Sequence, residues 1–202
     1  MGLVGKDLTD RTLKSPEDFK LSKFSRDSLE GILIPKSEIK KRVSLLSDRI
    51  AEDYAGKNFY AMCVLTGSVP FFKDLLFNKN MTVPFEYGCI RISSYVDTSS
   101  GELRYENFDL NEIRGKNVLI VEDILDTGHT LAKLVSLLQG APKSLQIAVL
   151  LDKPSRREVK MEADYVGFTI PNKFVVGYGL DYNNQYRYLQ HIGVLKKEMY
   201  GG

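Results

Sequence analysis

The 202-residue sequence has two cysteines, a formal net charge of only +2, and no apolar run approaching the ~18 residues of a membrane-crossing helix. Each scarcity excludes something. Cys63 and Cys89 lie in apolar, strand-like segments, where buried free thiols of a reducing compartment are expected rather than a disulfide framework. So weak a charge balance gives no electrostatic reason to expect nucleic acid or a membrane surface as a partner. The opening residues, MGLVGKDLTDRTLKSPEDF, lack the apolar core of a secretory signal, so the expected location is the cytoplasm. No internal repeat or low-complexity segment appears, and a 43% hydrophobic chain of this length suits one core with room for a small appended lobe.

What the chain does have is strand signals alternating with helix signals. Residues 1–30 are polar and weakly periodic, and are expected to form a partly irregular extension to a single domain spanning 31–202. Ile39, Val43, Leu46 and Ile50 mark one face of a helix, with the basic run Lys40, Lys41 and Arg42 expected on a solvated face. Phe59 to Leu65 reads as a buried strand that turns at Thr66, Gly67 and Ser68 into a helix carrying Phe71, Phe72, Leu75 and Leu76. Val83, Phe85 and Tyr87 alternate as in a half-buried strand continuing to Ile92. A run of about twenty residues, near 94–114, is long for an unstructured connection and suggests a flexible active-site flap. Further strands are expected at Leu145–Leu151, Tyr165–Ile170 and Phe174–Tyr178. Such alternation predicts an α/β fold with a mostly parallel, twisted sheet flanked by helices.

The chemistry concentrates between Asn117 and Thr130, NVLIVEDILDTGHT. Val118 to Val121 form a continuous apolar run, as in a parallel strand buried on both faces. At its carboxyl end, where open α/β sheets bind ligands, stand Glu122, Asp123 and Asp126. Thr127, Gly128, His129 and Thr130 follow, with hydroxyls and backbone N–H groups at the start of a helix, which favours a phosphate dianion. Leu131, Leu134, Val135 and Leu138 make the helix's apolar face, and Gly140 and Pro142 stop it. Acids beside a phosphate nest repel a bare phosphate but suit a ligand that offers hydroxyls or a metal to the acids and phosphate to the nest. A ribose 5-phosphate meets both demands.

EDILDTGHT resembles the phosphoribosyl pyrophosphate (PRPP) motif of type I phosphoribosyltransferases. IPKSEI, LTGS at 65–68, SSY at 93–95, LLDK at 150–153 and KFVVGYGLDYNNQYR at 173–187 resemble, in order and spacing, the hypoxanthine-guanine branch of that family. The resemblance runs from about Gly31 to Val194 and implies transfer of a 5-phosphoribosyl group from PRPP to N9 of a 6-oxopurine, yielding IMP or GMP and pyrophosphate with Mg2+. It also implies a small hood lobe from the terminal segments and a homodimer or homotetramer.

The same resemblance assigns roles. Residues Glu122, Asp123, Ile124, Leu125, Asp126, Thr127, Gly128, His129 and Thr130 are the expected PRPP-binding loop, with Asp126 the general base or proton partner at purine N7. Glu122, Asp123 and Asp181 are the expected metal carboxylates. Leu65, Thr66, Gly67 and Arg187 are expected to hold pyrophosphate, the loop at 65–67 being one that in the family can carry a non-proline cis peptide. Lys153 is expected at purine O6, Phe174 stacked on the base, and Val175 and Asp181 at its edge. Ser94 and Tyr95 would begin the flap, whose closure excludes water from the cationic sugar.

Two positions depart from the family pattern. Thr66 and His129 stand where lysine is common, so weaker PRPP or pyrophosphate binding is expected, with tightening at lower pH if His129 becomes charged. Two other functions fit the same residues. One is an enzyme preferring xanthine. The other is a non-catalytic regulator sensing PRPP or nucleotide, or binding RNA, for which the only support is the basic segment KPSRREVK at 153–160.

Overall fold

The computed structural model describes residues 4–93, 104–106 and 108–201. Its first half comprises β1 (Lys6–Asp7), α1 (Lys23–Ser28), β2 (Leu29–Ile34), α2 (Lys36–Asp53), β3 (Phe59–Leu65), α3 (Val69–Leu76), β4 (Phe85–Ser93) and β5 (Arg104–Glu106). The second half adds β6 (Asn117–Leu125), α4 (His129–Leu138), β7 (Ser144–Asp152), β8 (Tyr165–Thr169), β9 (Val175–Val176) and β10 (Ile192–Leu195). Seven strands form one sheet in the order β1-β8-β7-β6-β3-β4-β5, parallel except for β5 at an edge. This is the mostly parallel α/β sheet that the alternation of signals predicts.

Burial on both faces explains the apolar strands. Phe59, Ala61, Leu119 and Val121 pack with Leu46 of α2 and Phe71 and Leu75 of α3 in one cluster. Met62, Val118 and Ile120 pack with Leu131, Leu134 and Leu138 of α4 in another. Cys63 is buried beneath the first layer, where desolvation pushes its thiol up to about 12, so it is inert at neutral pH. Cys89, expected to be buried, is exposed. Its register partner on β3 is Cys63, so it shares the sheet face on which Cys63 packs beneath α2 and α3, yet its own side chain is exposed. Tyr87 on the same strand face is likewise exposed, not half-buried as its alternation suggested.

Other expectations change at the margins. Arg42 does not lie on a wholly solvated face: its guanidinium bonds the carbonyls of Val4, Val166 and Gly167, tying α2 to the sheet's edge. The strand expected at Phe174–Tyr178 is only Val175–Val176, because Gly177 and Tyr178 take φ of 100° and 50° and turn the chain. That short strand belongs to a second sheet, β2-β10-β9, which joins the N- and C-terminal segments into the small lobe. Of the flap expected near 94–114, residues 94–103 and 107 lie outside the described residues, Ser94 and Tyr95 among them. The end of that stretch belongs to the body: Leu110–Ile113 form a 3-10 turn with Ile113 buried.

The N-terminal residues are partly built into the fold, with β1 paired to β8. Arg11 donates two hydrogen bonds to Glu38 on α2, at 2.7 and 2.6 Å, and Lys6 donates a third at 3.2 Å. Arg11 foremost holds the Glu38 carboxyl down to about 2 from an ordinary 4.5. A carboxylate depressed in the folded state contributes stability above its unfolded value and loses it as pH falls through its folded value. Glu38→Gln is therefore expected to cost about 1–2 kcal/mol at neutral pH, a few degrees in Tm, after allowance for solvent screening. The deficit should shrink as pH falls from 4.5 toward 2. Thermal melts across that range test it, and identical curves for variant and wild type at neutral pH would refute it.

Candidate active site

From β3 the chain proceeds to β4, on one side, and from β6 to β7, on the other. The crevice at the carboxyl ends of β3 and β6 is therefore a topological switch point, where open α/β sheets accept ligands. A cleft of about 320 Å³ opens there. One wall is Leu65, Thr66 and Gly67, the other runs from Glu122 to Gly128 with Thr130, and Asp181 and Arg187 reach in from the C-terminal stretch. Segments far apart in sequence thus meet because strand order brings two loops face to face.

The Leu65–Thr66 peptide is cis, the loop conformation that the resemblance allowed. Ser68, fully buried, follows at the start of α3. Opposite it, Gly128 takes φ of 91° and caps α4 without any side-chain cap bond, which leaves first-turn N–H groups available to an anion. Only glycine occupies that conformation cheaply.

The acids at the strand end are held in different ways. Glu122 is buried with Asp123 beside it, and its Oε1 accepts from the Asp123 N–H at 3.1 Å. Burial, and then the charge of Asp123, raise the Glu122 pKa well above the ordinary carboxylate range. Burial also pushes Asp123 up to about 6, partly countered by hydrogen bonds and Arg187. A pair so poorly compensated within the chain is poised for a cation or hydroxyl groups. Asp181 instead has a partner: its Oδ1 lies 2.7 Å from Arg187 Nη2, and its Oδ2 accepts from Asn184 N–H at 2.8 Å. Arg187 Nη1 also donates to the Gly179 carbonyl at 2.7 Å.

Asp126 stands at the rim between two cations. Lys153 Nζ lies 3.5 Å from its Oδ2, and Arg156 Nε donates to its Oδ1 at 3.0 Å. Lys153 is buried, which lowers its pKa, while the charge of Asp126 offsets part of that shift. Lys153, Phe174 and Val175 are not among the walls of the cleft. Phe174 lies in the small lobe, stacked on Tyr200 with ring centroids 4.7 Å apart and edge-on to Tyr182 at 5.6 Å. Val175 is buried in β9, opposite Val194.

The two departures separate. Thr66 is exposed and lines the cleft. His129 is not among the residues that line the cleft, and its imidazole Nε2 lies 2.9 Å from a Glu158 carboxylate oxygen. The geometry therefore gives no footing to the tightening at lower pH expected from a histidine facing phosphate. Arg156, Arg157 and Glu158, read in the sequence as part of a basic surface run, are the neighbours that sequence reasoning missed. They lie in and just after a single 3-10 turn, Pro154–Arg156, too short for periodicity to mark which way a side chain points.

The donors suit a hard cation shared with a ligand. Among the described residues no three acidic, histidine or cysteine side chains gather into a metal cage, and Asp181, expected as a third carboxylate, is engaged by Arg187. Two adjacent carboxylates at the cleft floor fit Mg2+, which keeps waters and is usually held by one or two carboxylates and substrate phosphates.

A switch-point cleft with buried acids leading to a bare helix N-terminus defines a phosphoribosyl transferase domain. Residues 34–183 match that domain family, to which the chain belongs. It is 43% identical over 177 residues to the hypoxanthine-guanine phosphoribosyltransferase of Streptococcus pneumoniae, covering 86% of this chain and 97% of that one. The crystal structure of a hypoxanthine phosphoribosyltransferase from Staphylococcus aureus superposes with a TM-score of 0.83 at 39% identity, covering 91% of this chain and all of that one. The bifunctional protein TilS/HprT of Listeria monocytogenes is also 43% identical over 178 residues, of which the chain spans only 27% of the length. Within its family the chain sits with the hypoxanthine-guanine phosphoribosyltransferases.

Proposed function

We propose that the protein is a purine salvage enzyme that transfers the 5-phosphoribosyl group of PRPP to N9 of hypoxanthine or guanine, giving IMP or GMP and pyrophosphate. The observation that carries this reading is the juxtaposition of Asp126 and buried Lys153 beside a cleft walled by the Glu122–Asp123 pair and the start of α4. The 5-phosphate lies on the N–H groups and hydroxyls of Thr127 to Thr130, and Glu122 and Asp123 hold the ribose hydroxyls. Glu122 and Asp123 would also hold Mg2+, which would supply charge neutralisation for the leaving pyrophosphate. Lys153 donates to O6 of the base. Adenine presents a donor there, which faces the ammonium without an acceptor for it, so it is rejected. Asp126 takes or returns the proton at N7 as the glycosidic bond forms at N9. Arg187 leaves Asp181 to grip pyrophosphate with its fork of donors, freeing Asp181. Phe174 already has one face on Tyr200 and an edge on Tyr182, which supports its other face as the stacking platform for the base.

The protein works in the cytoplasm as a homodimer or homotetramer. No helix among the described residues is long and apolar enough to cross a membrane. Phe77, Tyr87 and Cys89 leave an exposed strip beside α3 and β4, on a sheet type whose faces are normally covered, and a second copy is the partner it suits. Of the basic run behind the regulatory reading, Arg156 and Arg157 have acidic partners within the chain, Asp126 and Asp152, which favours the catalytic reading.

An absorbance assay with PRPP, Mg2+ and each of hypoxanthine, guanine, xanthine and adenine tests the proposal. Nucleotide should form from hypoxanthine or guanine, with adenine disfavoured by about 10⁴-fold in kcat/KM. Turnover with xanthine alone would move the enzyme to the xanthine-preferring class. PRPP binding without turnover on any base would make the protein a sensor.

A further inference from the structure

Behind the phosphate loop lies an arginine that the transfer mechanism does not use. Arg157 has a side chain only 16% exposed and is paired with Asp152. Its Nη1 donates to the Leu125 carbonyl at 3.0 Å and to the Asp126 carbonyl, and its Nε to the Met161 carbonyl at 3.1 Å. Backbone donors from the same loop join it. Lys153 N–H bonds the Leu125 carbonyl at 3.0 Å, and Glu158 and Val159 N–H groups bond the Thr127 carbonyl at 3.0 and 3.3 Å. Three consecutive carbonyls, of Leu125, Asp126 and Thr127, are thus drawn toward the loop at 153–161.

A trans peptide is planar, with its C=O and N–H pointing in opposite directions. Anchoring those three carbonyls therefore turns the N–H groups of Asp126, Thr127 and Gly128 away from the loop, toward the cleft these residues wall. We propose that Arg157 is a positioning residue for the phosphate nest. It touches no substrate and acts by holding the peptide planes of residues 125–127 so that their donors face the 5-phosphate. The loop packs directly behind the nest, since a Cβ at Gly128 would stand 2.9 Å from Val159 Cγ2 and 3.2 Å from Arg157 Cδ. Asp152 holds the guanidinium through Nη2 while Nη1 holds the carbonyls, and neither partner of this partly buried ion pair lines the cleft itself.

This inference deepens the proposed function and rests on it, and the test separates the two. Steady-state kinetics of Arg157→Gln should show the KM for PRPP raised about tenfold or more, with the KM for hypoxanthine changed by less than about threefold. Calorimetric titration with ribose 5-phosphate should show the same loss. Arg157→Lys should recover only part of it, because an ammonium cannot bridge two carbonyls and Asp152 as a planar fork does. Wild-type affinity for ribose 5-phosphate in folded Arg157→Gln would overturn the assignment, as would an equal rise in both Michaelis constants. If Arg157→Gln fails to fold, Asp152→Asn should give a smaller rise confined to PRPP, and no rise would overturn it. Should wild type bind ribose 5-phosphate yet form no nucleotide, the transfer reading falls, and the relative affinities for that probe still decide the role of Arg157.

Discussion

Asp126→Asn is expected to lower kcat for nucleotide formation by about 10²- to 10⁴-fold while leaving the KM for PRPP within about threefold. The carboxylate is only partly exposed, and its two oxygens face Lys153 and Arg156, so its position is fixed before any base arrives. An amide of the same shape keeps one acceptor oxygen but cannot take a proton, and its NH2 group would face one of two cations. Binding of the phosphoribosyl group should survive because the nest is built from backbone groups and hydroxyls. A kcat within threefold of wild type would remove Asp126 from the chemistry and leave it a structural partner of the two cations. A KM for PRPP raised in step with the fall in kcat would instead make it part of the nest.

Replacing Gly179 by alanine is expected to abolish most activity, by about 10²-fold or more in kcat/KM, and to cost about 2–4 kcal/mol of stability. Gly179 has φ of 99°, and a Cβ there would overlap the Gly67 carbonyl oxygen and stand 2.9 Å from Pro70 Cδ. Its own carbonyl accepts from Arg187, and its N–H donates to the Arg187 carbonyl at 3.0 Å. Making room would therefore push the loop at 65–67 away from Arg187 and Asp181, separating two walls of the cleft. Gly67 is equally confined, since a Cβ on it would overlap the Asp123 carboxylate. Gly140→Ala supplies the control. Gly140 also has a positive φ, of 81°, but nothing lies within 4 Å of a Cβ there. That variant should lose about 1–2 kcal/mol from backbone strain alone and keep its activity. Parallel melts and assays decide, and equal losses in the two variants would mean that backbone strain, not the contact with Gly67, sets the effect.

Much of this site was legible in the chain. The apolar run from Val118 to Val121, the acids that end it and the glycine before an amphipathic helix are local signals, because strand period, turn chemistry and helix capping each act over a few residues. Lys153 was marked only by its place in LLDK, and the side chains of Arg156 and Arg157 carried no signal at all. They sit at and around a single 3-10 turn after β7, and their direction depends on where β6 and β7 end relative to each other. His129 shows the same limit from the other side. Its place in the motif suggested a phosphate ligand, but a glutamate arriving 29 residues later turns the ring away.

By itself the sequence determined the α/β alternation, the acidic, glycine-bearing loop at the end of β6 and the family, because those follow from short-range periodicity and from residues in fixed order. Only the tertiary structure decided that Gly67 and Gly179 touch, that Asp181 pairs with Arg187, and that Arg157 lies behind the nest. Those contacts arise where strand order folds distant loops onto one end of a sheet, and neither partner of such a contact marks the other in the linear chain.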